Sequence, residues 1–196
     1  KMAAEVLRRY GGFRLSATFP ITKAREDLAP YVALLDDLAP CLAKDRCDFR
    51  FNWEKGYDLC FPQFGTAKNL ARLLAMRARI FLHDGRDAEA LLQFRIAMHL
   101  AKLLYDVPVD IATFVAISME DQCLLAMQDC LAANPENRTL RTEFRKMATG
   151  LRTTVDWRRL VKANLYFAWN AAEYPVRWLD TDGGCGSTDY LRSAAW

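Results

Sequence analysis

Residues 66–106 read TAKNLARLLAMRARIFLHDGRDAEALLQFRIAMHLAKLLYD, and this stretch decides the fold. Two runs rich in Leu, Ala and Arg, all good helix formers, flank a short break at His83-Asp84-Gly85-Arg86-Asp87. Gly85 offers the backbone freedom that a helix end needs, and Asp84 and Asp87 are expected to cap the helix that follows. The pattern predicts a helix-turn-helix hairpin.

Within the hairpin, Ala78, Phe81, Gly85, Ala90, Phe94 and Ala97 stand where a tetratricopeptide-type unit has its small, large, turn, small, large and small residues. The hairpin therefore resembles such a unit. The unit's early Trp and terminal Pro are absent, and no second copy is legible at a 34-residue period. A wider stretch, about 28–132, resembles a set of uncharacterised bacterial helical proteins. The residues that carry this are Arg46-Cys47, Phe49, Trp53-Glu54-Lys55-Gly56-Tyr57, the run from Leu70 to Ala78, Gly85, and Ile117 with Glu120. The resemblance implies a tetratricopeptide-like helical fold. It implies no activity or ligand.

Upstream, residues 2–10 predict a short helix ended by Gly11-Gly12, and 13–23 a connector. A helical pattern over 25–43 contains Pro30 and Pro40, each of which removes a backbone donor, so two short helices or a kinked one are expected. In 44–65, Phe49, Phe51 and Trp53 alternate with polar residues, which predicts an extended segment with one buried face. Downstream, Val107-Pro108 marks a boundary. Residues 110–132 carry the helical stripe Ala112, Val115, Met119, Cys123, Ala126 and Cys130, and Asn134-Pro135-Glu136-Asn137 is a turn. A helix over 139–149 is closed by Gly150. Thr153 and Asp156 look like a capping box opening a last helix over 155–173, stopped by Pro175. The whole predicts an all-α chain of about eight helices: an irregular, tetratricopeptide-like array of hairpins, an α-solenoid or right-handed superhelix. Residues 1–179 form one helical domain, and 180–196 a loose, glycine-rich tail.

Composition narrows the function classes. Apolar residues make up 52% of the 196 positions, enough for one sizeable core. The 27 basic and 24 acidic residues are interspersed, leaving a net charge of +3 and no basic block, so nucleic acid has no electrostatic footprint. No apolar run reaches the length of a membrane span. The chain opens on Lys1-Met2 without a signal-peptide pattern, and a leader, anchor or disordered arm is expected ahead of it. The compartment, cytoplasmic or exported, stays open.

The six cysteines, at 41, 47, 60, 123, 130 and 185, show no metal-ligand spacing. Cys123 and Cys130 share a helix face about 10 Å apart, too far for a disulfide. A Cys47–Cys60 bridge is an open alternative to free thiols. His83 and His99 lie on facing helices with nothing to complete a metal set, and no nucleophile elbow or phosphate loop occurs. No cofactor and no catalytic residues are expected.

Two residue sets stand out. Lys68, Arg72, Arg79 and His83 fall within an arc of about 60° on the first helix of the hairpin, on the face that lines the groove in a repeat-type hairpin. A peptide carboxylate or acidic segment would dock there on Arg forks. Opposite them, Arg77 sits among Leu70, Leu73, Leu74 and Phe81, where an unpaired guanidinium would be costly; Glu120 is the expected partner. The leading expectation is a non-catalytic scaffold that binds another protein, with Tyr190, Leu191 and Trp196 of the tail as further contacts. The alternatives are a ligand-binding or enzymatic pocket near Trp53, Glu54 and Tyr57, and a structural subunit of a large assembly.

Overall fold

The computed structural model describes residues 19–49, 51, 61–151, 161, 162 and 165. Within them the fold is all-α, with no strand. Five helices of eight residues or more follow one another: α1 (Ile21–Leu28), α2 (Pro62–His83), α3 (Asp87–Leu104), α4 (Asp110–Ala133) and α5 (Arg138–Thr149). Two expected helices, 2–10 and most of 155–173, lie outside the described residues, as does the tail, so the count of eight is not reached here.

The two prolines of the 25–43 run break it as expected. Each sits at the start of a 3-10 turn, Ala29–Tyr31 and Ala39–Ala43, with a five-residue helical turn, Val32–Asp36, between them. Proline also opens α2: Pro62 occupies its first turn, where a missing N–H costs nothing. This starts the helix four residues before the expected Thr66.

The turn between α2 and α3 is closed by the backbone. Gly85 has φ +73°. Its N–H reaches the Leu82 carbonyl at 3.1 Å, and the Arg86 N–H reaches that of Phe81 at 2.8 Å. This paired arrangement satisfies carbonyls that the helix end leaves open. The expected caps at Asp84 and Asp87 do not form. Arg86 precedes α3 without a side-chain cap, and Asp87 is already inside the helix. Asp84 instead receives Arg25 of α1 at 2.5 Å, and Asp87 receives the Asn137 amide at 2.6 Å. Asn137 is the true cap: its side chain accepts the Leu140 N–H at 3.0 Å at the start of α5.

The second hairpin, α4 and α5, lies on the first in parallel. Arg72 and Arg79 of α2 meet Gln122 and Asp129 of α4, both at a separation of 50 residues. Asp87 of α3 meets Asn137 at a separation of 50, and Arg95 meets Glu143 of α5 at 48. Phe94 and Phe144 continue this offset, their rings edge-on at 5.2 Å. Sequence shows no second copy because little else matches at this spacing.

Small residues allow the close approach. Ala78, Ala90 and Ala97 are fully buried, as is Phe94, and Phe81 nearly so. One core cluster joins α1, α2, α3 and α4, with Phe64, Leu74, Leu104 and Met119 inside; a second surrounds Phe94, Leu140 and Phe144. Phe49 and Phe51 stack at 5.6 Å and pack on Phe61 and Phe64, so this part of the 44–65 segment forms an aromatic strap over the core. No helix of the described residues is long and apolar enough to cross a membrane.

No heavy atom lies within 4 Å of a Cβ added at Gly85, so the cost of Gly85→Ala is purely one of backbone conformation. It should lower stability by about 1 kcal/mol in urea denaturation, with helicity otherwise retained.

Candidate functional site

The seam between α2 and α4 gathers the polar side chains that the packing leaves available. It exists because α2 and α4 run side by side, so side chains seven apart on one meet side chains seven apart on the other. The face of α2 directed there carries the predicted stripe, and the structure divides that stripe in three.

Arg79 is consumed by the fold. Its Nη2 donates to Asp129 Oδ2, both side chains are largely buried, and its guanidinium also lies over the Phe19 ring at 5.2 Å. Burial pushes the Asp129 carboxyl up from its usual range, and the Arg79 charge opposes that shift. His83 is exposed at the far end of α2 and lies 3.4 Å from Asp84.

Lys68 and Arg72 are different. Four lysine and arginine side chains among the described residues are partly buried: Lys68, Arg72, Arg77 and Arg79. Arg77 has Asp36 and Arg79 has Asp129. Lys68 and Arg72 have no carboxylate partner among the described residues. Arg72 donates through Nε to Gln122 Oε1 at 3.0 Å, and Gln122 Nε2 donates to Ser118 Oγ at 3.1 Å. That chain of neutral groups holds the guanidinium while its two terminal nitrogens keep their donors. Burial pulls Lys68 below its ordinary range, with the Arg72 charge adding to the effect, and burial lowers Arg72 as well. Two like charges one turn apart also repel, by roughly 0.2–0.5 kcal/mol on an open helix. An anion placed between them would relieve both costs.

The Arg77–Glu120 pairing is corrected. Arg77 reaches Asp36 at 2.6 Å and lies over the Phe81 ring at 5.1 Å. Its face of α2 is covered by the elements before it, while α4 packs on the opposite side. Glu120 instead accepts the Tyr105 hydroxyl at 2.7 Å. Burial raises the Glu120 carboxyl above its ordinary 4.5, and the Tyr105 bond works against that rise.

Trp53, Glu54 and Tyr57 of the candidate pocket and Tyr190, Leu191 and Trp196 of the tail lie outside the described residues, as does Cys60. Cys41 and Cys47 are free thiols. Burial pushes Cys123 and Cys130 up to about 12, which makes them inert core residues. His99 donates from Nε2 to the Lys44 carbonyl at 2.8 Å and so ties down the segment before the aromatic strap. Among the described residues no three His, Cys, Asp or Glu side chains gather as metal ligands would.

One surface was missed from sequence. Phe114, Ile117 and Leu125 of α4 are 63%, 46% and 37% exposed and share an arc of about 80° with Asp121. The buried stripe of α4 was legible, but its outer face is interrupted by Ser118, Asp121 and Gln128 and so reads as ordinary surface.

Two outcomes follow. Asp129→Ala alone should cost about 3–5 kcal/mol, because it leaves Arg79 buried and unpaired, whereas Arg79→Met with Asp129→Leu should recover most of that loss in the same urea titration. Glu120 should show its raised value as pH dependence. The folded state binds its proton more tightly than the unfolded state, so stability falls as pH rises from 4.5 through the folded value. Glu120→Gln, which keeps an acceptor for Tyr105, should flatten that fall.

Comparisons of the chain with protein-family models, with curated proteins and with solved structures return no match.

Proposed function

We propose that the chain is a non-catalytic helical scaffold that binds another protein along the α2–α4 seam, with Lys68 and Arg72 receiving a carboxylate of the partner. The observation that carries this is the pair itself: two partly buried cations, Arg72 braced by Gln122, with no carboxylate partner among the described residues. A structural role gives a buried guanidinium its own acid, as Asp36 and Asp129 do for the neighbouring arginines. Arg72 is held by a neutral amide instead, which fixes its geometry and leaves its charge for something else.

The stacking of two hairpins at a near-constant offset favours a tetratricopeptide-like array as the frame. It lays the first helices of both hairpins side by side and makes their seam a continuous surface. The burial of Ala78, Phe81, Ala90, Phe94 and Ala97 and the left-handed Gly85 suit the same reading. Of the stripe Lys68, Arg72, Arg79 and His83, the first two receive the partner, since Arg79 is paired with Asp129 and His83 lies beside Asp84.

The test is recovery of the chain from its native source under mild conditions, with mass spectrometry of intact complexes to identify a stoichiometric protein partner. Lys68→Glu with Arg72→Glu should weaken that partner's binding at least tenfold and leave the circular dichroism unchanged. Binding that survives the double reversal would remove the proposal, as would a chain that carries only a metal or small molecule.

A further inference from the structure

The groups that brace Arg72 lead out of the seam and onto an apolar ridge. On α4, Phe114, Ser118, Gln122 and Leu125 are spaced four, four and three apart and fall within an arc of about 80°. Gln122 holds Arg72 at 3.0 Å and is linked to Ser118 at 3.1 Å. Phe114 lies one turn before Ser118, and Leu125 one turn after Gln122. The hydrogen-bonded chain is therefore flanked at its two ends by apolar side chains that are 63% and 37% exposed.

The register of the two helices sets the cations against this row. Arg72 stands opposite Gln122 and Arg79 opposite Asp129, so the same offset puts Lys68 level with Ser118. Moving round α4 away from α2, the helical angle passes Gln122, then Ser118, then Leu125 and Phe114, and then the exposed Asp121. Across the surface the order is cationic, neutral polar, apolar and anionic. The ridge runs about 16 Å along α4, from Phe114 to Leu125 at about 1.5 Å per residue.

That order selects the occupant. The described residues offer no strand edge on which an extended segment could pair its backbone. A helix satisfies its own backbone, and at three- and four-residue spacing it presents one apolar row with a polar edge on each side. Carboxylates on one edge meet Lys68 and Arg72, and the apolar row meets Phe114 and Leu125. The other edge meets Asp121 and suits lysine or arginine. A wholly acidic segment would be repelled by Asp121, and a wholly apolar one would leave two cations desolvated and unpaired.

We propose that the occupant of the seam is an amphipathic helix of another protein, acidic along one edge and basic along the other, with its apolar row on Phe114 and Leu125. This rests on the reading of Lys68 and Arg72 as the carboxylate site and supplies the form of the partner.

The probe is a fluorescein-labelled synthetic peptide of about 18 residues, or about five turns. It carries leucines along one helical stripe, glutamates along one edge, lysines along the other and alanines elsewhere. Its fluorescence anisotropy is followed as the full chain is added, and saturable binding is expected. Phe114→Ser with Leu125→Ser should weaken binding at least tenfold and leave thermal melting unchanged, since both side chains are exposed. Should that variant melt early, a peptide with serines in place of its leucines, offered to the wild type, reads the same loss. Replacing the glutamates by glutamines should also weaken binding to the wild type at least tenfold, and Lys68→Gln with Arg72→Gln should bind both peptides alike. No binding of the first peptide overturns the inference, and so does equal affinity for the wild type and the Phe114–Leu125 variant. In that second case, a glutamine peptide that still binds more weakly keeps the carboxylate reading and removes only the ridge. A glutamine peptide that binds equally well removes both. A wild type that sediments as a dimer between about 1 and 50 µM, where the Phe114–Leu125 variant stays monomeric, would overturn the inference by assigning the ridge to a second copy.

Discussion

Arg79 and Asp129 meet in the seam between α2 and α4, where neither charge can be left to water. A buried guanidinium without its acid is costly, so the two helices slide until this pair is made. Once it is made, Arg72 stands opposite Gln122, seven residues back on each helix. The same register brings Asp87 to Asn137 and Phe94 to Phe144 on the outer pair of helices. Apolar burial supplies the bulk of the stabilisation, but it is indifferent to a shift of one turn along a face of alanines. The ion pair and the amide link below it are what distinguish one alignment from the next.

Much of this was readable from the residues. Leu and Ala repeated at helical spacing, with Gly85 at the break, predict the hairpin, and its six marked positions are buried or, for Gly85, left-handed. Pro30 and Pro40 predict a broken helix and produce one. The failures share a cause. A helical wheel gives the direction of a side chain relative to its own axis and says nothing about which neighbour occupies that direction. Helical spacing turns Arg77 away from Arg72 and Arg79. The segment around Asp36 covers its face, whereas α4, which carries Glu120, packs on the opposite side of α2 against Arg72 and Arg79. Local sequence points Asp84 and Asp87 to capping, but Arg25 and Asn137 approach from elsewhere in the chain and claim them.

The candidate site was half legible for the same reason. Lys68, Arg72, Arg79 and His83 share a face in any helix. Only the position of α4 shows that Arg79 is spoken for, that His83 lies beyond the seam, and that Lys68 and Arg72 are left partly buried without an acid among the described residues. A signal was available: Arg72 and Arg79 are seven apart, as are Gln122 and Asp129, and matching heptad steps on two helices are what parallel packing requires.

The offset of about fifty residues also bears on how the fold assembles. Contacts across the Gly85 turn are local and close a very short loop, whereas every link between hairpins must first bring together segments far apart in sequence. The first hairpin can thus gain much of its burial before the second arrives, while α5 finds its partners only after both turns are made. Lengthening the five-residue stretch 105–109 would slow that second encounter only slightly, since closure entropy grows as the logarithm of loop length. A residue inserted beside Gly85 would instead rotate α3 against α2 and misalign the links on both layers at once.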